Sequence, residues 1–194
     1  MKLYYSPGAC SLADHIALHE AGIAFDHEKV DLKAKRTESG DDFADINPKG
    51  YVPTLILDSG ETLTENVAIL DWIAHKNHAL APSGPMGHTR LLEALAFIST
   101  EIHKSFKPFF ADGTDQEKAK AAEMIAKCMG YLADAMKGDF IFGSQLSAAD
   151  CYLFVMLLWA QKNALSVPDK LATFRHRMAS RPAVRKAMTH EGVL

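Results

Sequence analysis

The sequence predicts two units in series, a mixed α/β unit followed by an all-helical one. Strand signals are confined to the first third of the chain, where they alternate with helical periods. The stretch "HALAPSGPMGH" (His78 to His88) gathers two prolines and two glycines. Every segment beyond it reads as helix. We expect an α/β unit over residues 1–80, a linker over 81–87 and an all-helical unit over 88–194.

The elements follow in order. "MKLYY" is a short aromatic-rich strand, punctuated by "SPGA". "SLADHIALHEAG" has helical period and ends at Gly22; Ser11 as N-cap with Asp14 at N3 fits a capping box, which sets Cys10 immediately before the helix. "AFDHEKVDL" alternates around Phe25, Val30 and Leu32 as a second strand. "KAKR" (Lys33 to Arg36) then reads as a solvated turn, a helix end or a small binding patch. In "FADINPKGYVPTLIL", Asn47-Pro48 and Lys49-Gly50 mark turns and Thr54 to Leu57 a buried strand. "DSGETLT" turns back into a further strand, and "ENVAILDWIAHK" is a helix with Val67, Leu70, Ile73 and Ala74 on one side. The simplest assembly is a mixed sheet covered by helices. Past the linker come "TRLLEALAFISTEIHKSF", "DQEKAKAAEMIAKCMGYLADAMK", "SAADCYLFVMLLWAQKN" and "KLATFRHRMASRPAVRKAM", each read as one helical stretch.

Composition narrows the function classes. The 194 residues are 48% hydrophobic and carry a formal net charge of -3, so there is core material and no basic footprint for nucleic acid. The longest nearly uncharged run, "CYLFVMLLWA", is too short to span a bilayer, and no charged, then apolar, leader opens the chain. Three cysteines without a C-x-x-C pair make neither a disulfide framework nor a zinc site. We expect a soluble cytoplasmic protein that binds neither membrane nor metal.

Four places offer chemistry. A thiol at a helix N-terminus meets the positive end of the dipole, so Cys10 is expected to have a depressed pKa; packing is the alternative, and position alone does not decide. Cys128 and Cys151 sit in apolar helical runs and are assigned to the core. Val52-Pro53 precedes a strand; a cis bond there would turn the Val52 backbone outward, whereas a trans strand start is the ordinary alternative. "TEN" (Thr64, Glu65, Asn66) opens a helix, where a ligand carboxylate can dock or plain capping suffices. In "STEIHKSF" the apolar face is Leu91, Leu95, Ile98, Ile102 and Phe106. Ala96, Ser99, Thr100, His103 and Lys104 fall mostly off it, which turns His103 toward a cleft or toward solvent.

Taken together, "YYSPGACSLA", "DLKAKRTESGDDF", "NPKGYVP", "LTENVAIL", "STEIHKSF" and "SAADCYLF" resemble a cytosolic glutathione S-transferase, most closely the bacterial beta class. The resemblance implies a thioredoxin-like domain, an all-helical domain and a homodimer. It implies a cis Pro53, with glutathione along Val52 and its γ-glutamyl carboxylate near Glu65 and Asn66. Lys35 would reach the glycyl end. Cys10 would lie beside the glutathione sulfur, able to form a mixed disulfide, with Ser11 nearby and Thr100, His103 and Lys104 in the same cleft. "LSAADC" resembles the family's folding signature, with Ser147 at N-cap, Asp150 at N3 and a staple between Leu146 and Cys151. Two positions depart from the class: Asn66 stands where serine is usual, and Ala96 where an asparagine often contacts the partner subunit's glutathione.

The implied activity is conjugation of the glutathione thiolate to small, largely apolar electrophiles, a detoxification chemistry, with Cys10 and His103 stabilising the thiolate. Tyr4, Tyr5, Ser6 and Ser11 rival Cys10 for that role. Two other readings stand beside it: a glutathione-dependent thiol–disulfide oxidoreductase using Cys10, and a non-catalytic ligand-binding protein of the same fold. Phe106, Phe109, Phe110 and Trp159 are candidates for the electrophile pocket or for core.

Overall fold

The computed structural model describes residues 1–194. Its first unit is a five-stranded mixed sheet with helices packed against it. The strands are β1 (Lys2–Tyr5), β2 (Asp26–Asp31), β3 (Arg36–Thr37), β4 (Thr54–Ile56) and β5 (Thr62–Thr64), in the order β3-β2-β1-β4-β5. β1 pairs in parallel with β2 and antiparallel with β4, so the chain must cross over the sheet between β1 and β2. Helix α1 (Leu12–Glu20) is that crossover. α2 (Phe43–Ile46) and α3 (Asn66–Lys76) complete the unit, which is thioredoxin-like as the sequence implied. The edge strand β3 begins at Arg36, the last residue of the "KAKR" segment read as a turn, a helix end or a binding patch. Two residues are too few to show a period-2 pattern, and only its pairing with β2 defines it.

Residues 81–86 hold no helix or strand, and the remainder is helical: α4 (Gly87–Phe97), α5 (Lys107–Phe110), α6 (Asp115–Ala135), α7 (Ala148–Lys162), α8 (Asp169–Ser180) and α9 (Pro182–Glu191). One apolar cluster runs from Leu3 in β1 to Met188 in α9, and α1 packs on α7 and α9 as well as α3. Cys128 and Cys151 are buried in it, as expected.

Three helical stretches depart from the sequence reading. "TRLLEALAFISTEIHKSF" is not one α-helix. α4 gives way to a π-helical segment at Ile98–His103 and a 3-10 turn at Lys104–Phe106. Ile98, Ile102 and Phe106 repeat every four residues, longer than the 3.6-residue α-turn, and the wider turn keeps all three fully buried. Pro108 has no N–H to continue the ladder, and α5 begins around it. The last stretch splits in two at Arg181, because Pro182 starts a new helix more readily than it continues one. The third departure is the start of α1. Ser11 is itself helical (φ −56°, ψ −20°) and its hydroxyl caps nothing; the Ser6 backbone N–H donates to it at 3.2 Å instead. The turn before the helix is already wound, with the Leu12 and Ala13 N–H groups bonded to the Ala9 and Cys10 carbonyls, so no capping box forms.

Candidate active site: a cleft between sheet and helical unit

A cavity of about 400 Å³ opens where the α/β unit faces the π-helical segment. The first unit contributes Cys10, Tyr51, Val52, Pro53, Glu65, Asn66 and Val67; the helical unit contributes Ser99, His103 and Tyr152.

Cys10 stands on the wound turn ahead of α1, its Sγ 3.8 Å from the Val52 carbonyl oxygen. Its thiol was expected to be acidified by the helix dipole, and the structure overturns that. Burial, then the nearby Asp14 carboxyl, push the Cys10 pKa up to about 12, outweighing backbone hydrogen bonds that act the other way. Asp14 is itself fully buried, and desolvation holds it well above the carboxylate range. The thiol therefore keeps its proton in the free protein.

The Val52-Pro53 bond is cis, as the resemblance implied and against the trans reading of the residues alone. At the next wall, Glu65 takes φ 73°, an unfavourable region for a residue with a side chain. Its carboxylate accepts from Lys49 Nζ at 2.5 Å and from the Tyr51 hydroxyl at 2.7 Å, and both bonds lower its pKa. Glu65 is thus an ionised group at the mouth of α3, where the first backbone N–H groups have no intrahelical acceptor. Asn66 turns inward. In the amide orientation that satisfies both ends, Nδ2 donates to Asp14 Oδ2 at 2.7 Å and to the Cys10 carbonyl at 3.1 Å. It ties the start of α3 to the start of α1.

From the helical side, Ser99 and His103 lie four residues apart on the π-helical segment. Burial lowers the His103 pKa, so the ring is neutral. Its Nδ1 is 2.6 Å from the hydroxyl of Tyr152, whose own pKa burial raises far above the usual value. With the phenol assigned as the donor to Nδ1, the ring proton sits on Nε2. Trp159 packs edge-on to the His103 ring at 4.9 Å, and its Nε1 donates to the Gly8 carbonyl at 2.8 Å, fixing the loop before Cys10.

The other expected site residues lie around this cavity rather than on its wall. Ser11 is fully buried behind Cys10. Lys35, exposed and at φ 55°, donates to the Gly50 carbonyl at 2.5 Å, beside Tyr51. Thr100 is exposed and donates to Glu101, and Lys104 is exposed. Sequence reasoning missed Tyr51, Val67 and Tyr152 as wall residues, and it set Ser99 off the apolar face without giving it a role. Tyr152 had been absorbed into an apolar run; a hydroxyl there needing a buried partner was the available signal. Phe106 is core, whereas Phe110 is half exposed and stacks edge-on to Trp159.

Comparison with known proteins agrees with this geometry. Residues 9–76 match the N-terminal domain of glutathione S-transferases and residues 100–190 their C-terminal domain. The chain is 42% identical over 200 residues to glutathione S-transferase GstA of Escherichia coli O157:H7, covering 100% of both chains. A bacterial beta class glutathione S-transferase of Sphingomonas chungbukensis superposes with a TM-score of 0.91 at 45% identity, and a sphingomonad glutathione S-transferase complexed with glutathione with a TM-score of 0.91 at 46%, each over 100% of both chains. With that fold, that cleft and those relatives, the chain belongs to the glutathione S-transferase family, and its structural neighbours include the bacterial beta class.

Proposed function

We propose that the protein conjugates the glutathione thiolate to small electrophiles, with the cleft of Cys10, Val52, Pro53, Glu65, Asn66 and His103 as its glutathione site. The observation that carries this reading is the facing pair of neutral donors, the protonated Cys10 thiol and the Nε2–H of His103, on opposite walls of one cavity. Glutathione lies along Val52, its γ-glutamyl carboxylate at the unpaired N–H groups of α3 and its ammonium on ionised Glu65. Lys35, next to Gly50, serves the glycyl carboxylate; Thr100 and Lys104 line the rim, and Ser11 supports the Cys10 turn from behind. Two donors aimed at one sulfur favour its anion, and the thiolate then attacks the electrophile carbon while the leaving group takes the bond electrons. Phe110 and Trp159 offer the co-substrate an apolar wall.

The raised Cys10 pKa weighs against thiol–disulfide oxidoreduction as the main activity, since the attacking species there is a thiolate. A slow side reaction remains open to it: attack on glutathione disulfide forms a mixed disulfide and releases one glutathione. Cys10→Ala should keep most conjugation of an aromatic halide and lose the glutathione mass adduct. Loss of glutathione retention with the fold intact would overturn the shared-donor site. Failure of the parent protein to be retained on immobilised glutathione would favour a ligand carrier of the same fold.

We further propose a homodimer, a cytoplasmic setting and a division into units at 1–80 and 88–194. An open apolar groove of about 730 Å³ between α4 and α6, with Phe97, Met124 and Tyr131 on its walls, supports a second copy as its cover. Met124→Glu with Tyr131→Glu should halve the mass seen by light scattering. Three free cysteines support the reducing setting, and no helix is long and apolar enough to cross a membrane.

A further inference from the structure

We propose that His15, His27 and His190 form a binding site for a borderline divalent transition-metal ion of the Zn²⁺ class, at the junction of α1, β2 and α9 and separate from the glutathione cleft. Each of the three offers one ring nitrogen, and these atoms all lie within 4.8 Å of one another. None of the three lines the cleft. The composition gave no hint of this site, because its histidines come from three distant segments with no metal-ligand spacing.

The geometry suits imidazole coordination. His15 Nε2 and His190 Nδ1 share a hydrogen bond at 3.3 Å. Two nitrogens bound at about 2.0–2.1 Å in a tetrahedral zinc site stand about that far apart, so this pair is already spaced as one edge of the site. His15 is fully buried, and Glu191 Oε1 lies 3.0 Å from its Nδ1. A carboxylate on the far nitrogen is the usual support of a metal-bound histidine: it holds the ring and leaves the other nitrogen facing the ion. Glu191 is itself held by the Gly8 N–H at 2.9 Å. His27 is exposed on β2 and stacks on His190, with centroids 4.5 Å apart and planes 9° from parallel. It supplies the movable third ligand and closes the site by swinging out of that stack.

A second observation concerns the neighbouring histidine of α1. The Nε2 of His19, one turn along α1 from His15, is buried and has no hydrogen-bond partner, and its ring lies 5.3 Å from those of both His15 and His190. Four imidazole rings thus cluster here, three of them with ring nitrogens within reach of one ion. A buried nitrogen without a partner is a cost to the fold. Three imidazoles select a borderline cation over Mg²⁺ or Ca²⁺, which take oxygen ligands. Such an ion would tie the first helix, which leads from the Cys10 turn, to the last.

The test is direct titration of the metal-free protein with Zn²⁺ against a chromophoric chelator, repeated with Co²⁺ for its visible ligand-field bands. The parent protein should bind one Zn²⁺ per chain, melt at a higher temperature when loaded, and give the absorption of a tetrahedral Co²⁺ site. His27→Ala, at an exposed strand position, should weaken binding by at least about tenfold, and His27→Ala with His190→Ala should abolish it. Cys10→Ser should bind as the parent does. The proposal fails if the parent binds no stoichiometric Zn²⁺, if His27→Ala leaves affinity unchanged, or if Cys10→Ser removes the binding. None of these readouts uses glutathione, so the result is independent of the conjugation reading.

Discussion

Helices α1 and α7 open on the same four-residue pattern, Ser-Leu-Ala-Asp at Ser11 and Ser-Ala-Ala-Asp at Ser147, and they use it oppositely. At α7 the pattern closes a cap. Ser147 is extended, and Asp150 accepts from the Ser147 N–H at 2.7 Å and its hydroxyl at 2.6 Å. The other carboxylate oxygen accepts from the Ile141 N–H at 2.9 Å. At α1 the backbone is wound a turn earlier. Ser11 faces Ser6, Asp14 meets Asn66, and Asp14 Oδ1 has no partner at all. Both aspartates are fully buried, but one is surrounded by donors and the other is left short of them beside a thiol. The same letters serve stability at one helix and the electrostatics of a site at the other.

The strongest way to break this contrast is Asp150→Ala. It strands two buried backbone donors, and we expect a loss of about 2–4 kcal/mol in chemical denaturation. Glutathione affinity of the folded fraction should change little. Unchanged melting would show that the α7 cap is decorative. Next in size is the pH dependence. Burial raises Asp150 to about 6. A carboxyl with a raised folded pKa favours the fold below its unfolded value near 4 and loses that advantage as pH climbs to 6. Asp150→Asn should therefore flatten the stability slope between about pH 4 and 6 by on the order of 2 kcal/mol relative to the parent. Equal slopes in the two proteins would mean that Asp150 ionises freely in the folded state.

The contrast also explains how much could be read in advance. The order of strands and helices and the split into an α/β and a helical unit were legible from local periodicity, whereas the thioredoxin-like character of the first unit and the α7 cap came from the resemblance to glutathione S-transferases. Cys10, Val52, Pro53, Glu65, Asn66 and His103 were joined by that resemblance alone, each having a plain alternative by itself, and all six line one cavity. The Cys10 pKa was not: it depends on Asp14 and on burial by segments far away in sequence, while a local reading sees only the dipole. The π-helical segment was hidden because Ile98, Ile102 and Phe106 satisfy an α-helical pattern nearly as well as a wider one. Tyr152 was hidden because an apolar run masks its hydroxyl, and β3 because its two strand residues carry no period of their own.

Asp14→Asn sharpens the comparison from the other helix. It keeps the shape and removes the ionisable carboxyl, so stability should move by less than about 1 kcal/mol. The Cys10 thiol should then titrate at lower pH, and iodoacetamide should modify it several-fold faster at pH 9. An unchanged rate would assign the raised Cys10 pKa to burial alone.

The smallest expected effect is at Ser11, set against its counterpart Ser147. Ser147→Ala removes a 2.6 Å bond to a buried carboxylate and should cost about 1 kcal/mol. Ser11→Ala removes a hydroxyl whose contacts to the Ser6 N–H and carbonyl are long, 3.2 and 3.5 Å, and which caps no helix. Its cost should stay below about 0.5 kcal/mol, since weak and long bonds contribute little. Because Ser11 lies behind the Cys10 turn and not on the cleft wall, glutathione binding by calorimetry should also hold. A clear fall in affinity with unchanged stability would make Ser11 a ligand-binding residue. The α1 serine would then have its own function in the site, where the α7 serine has only a cap to close.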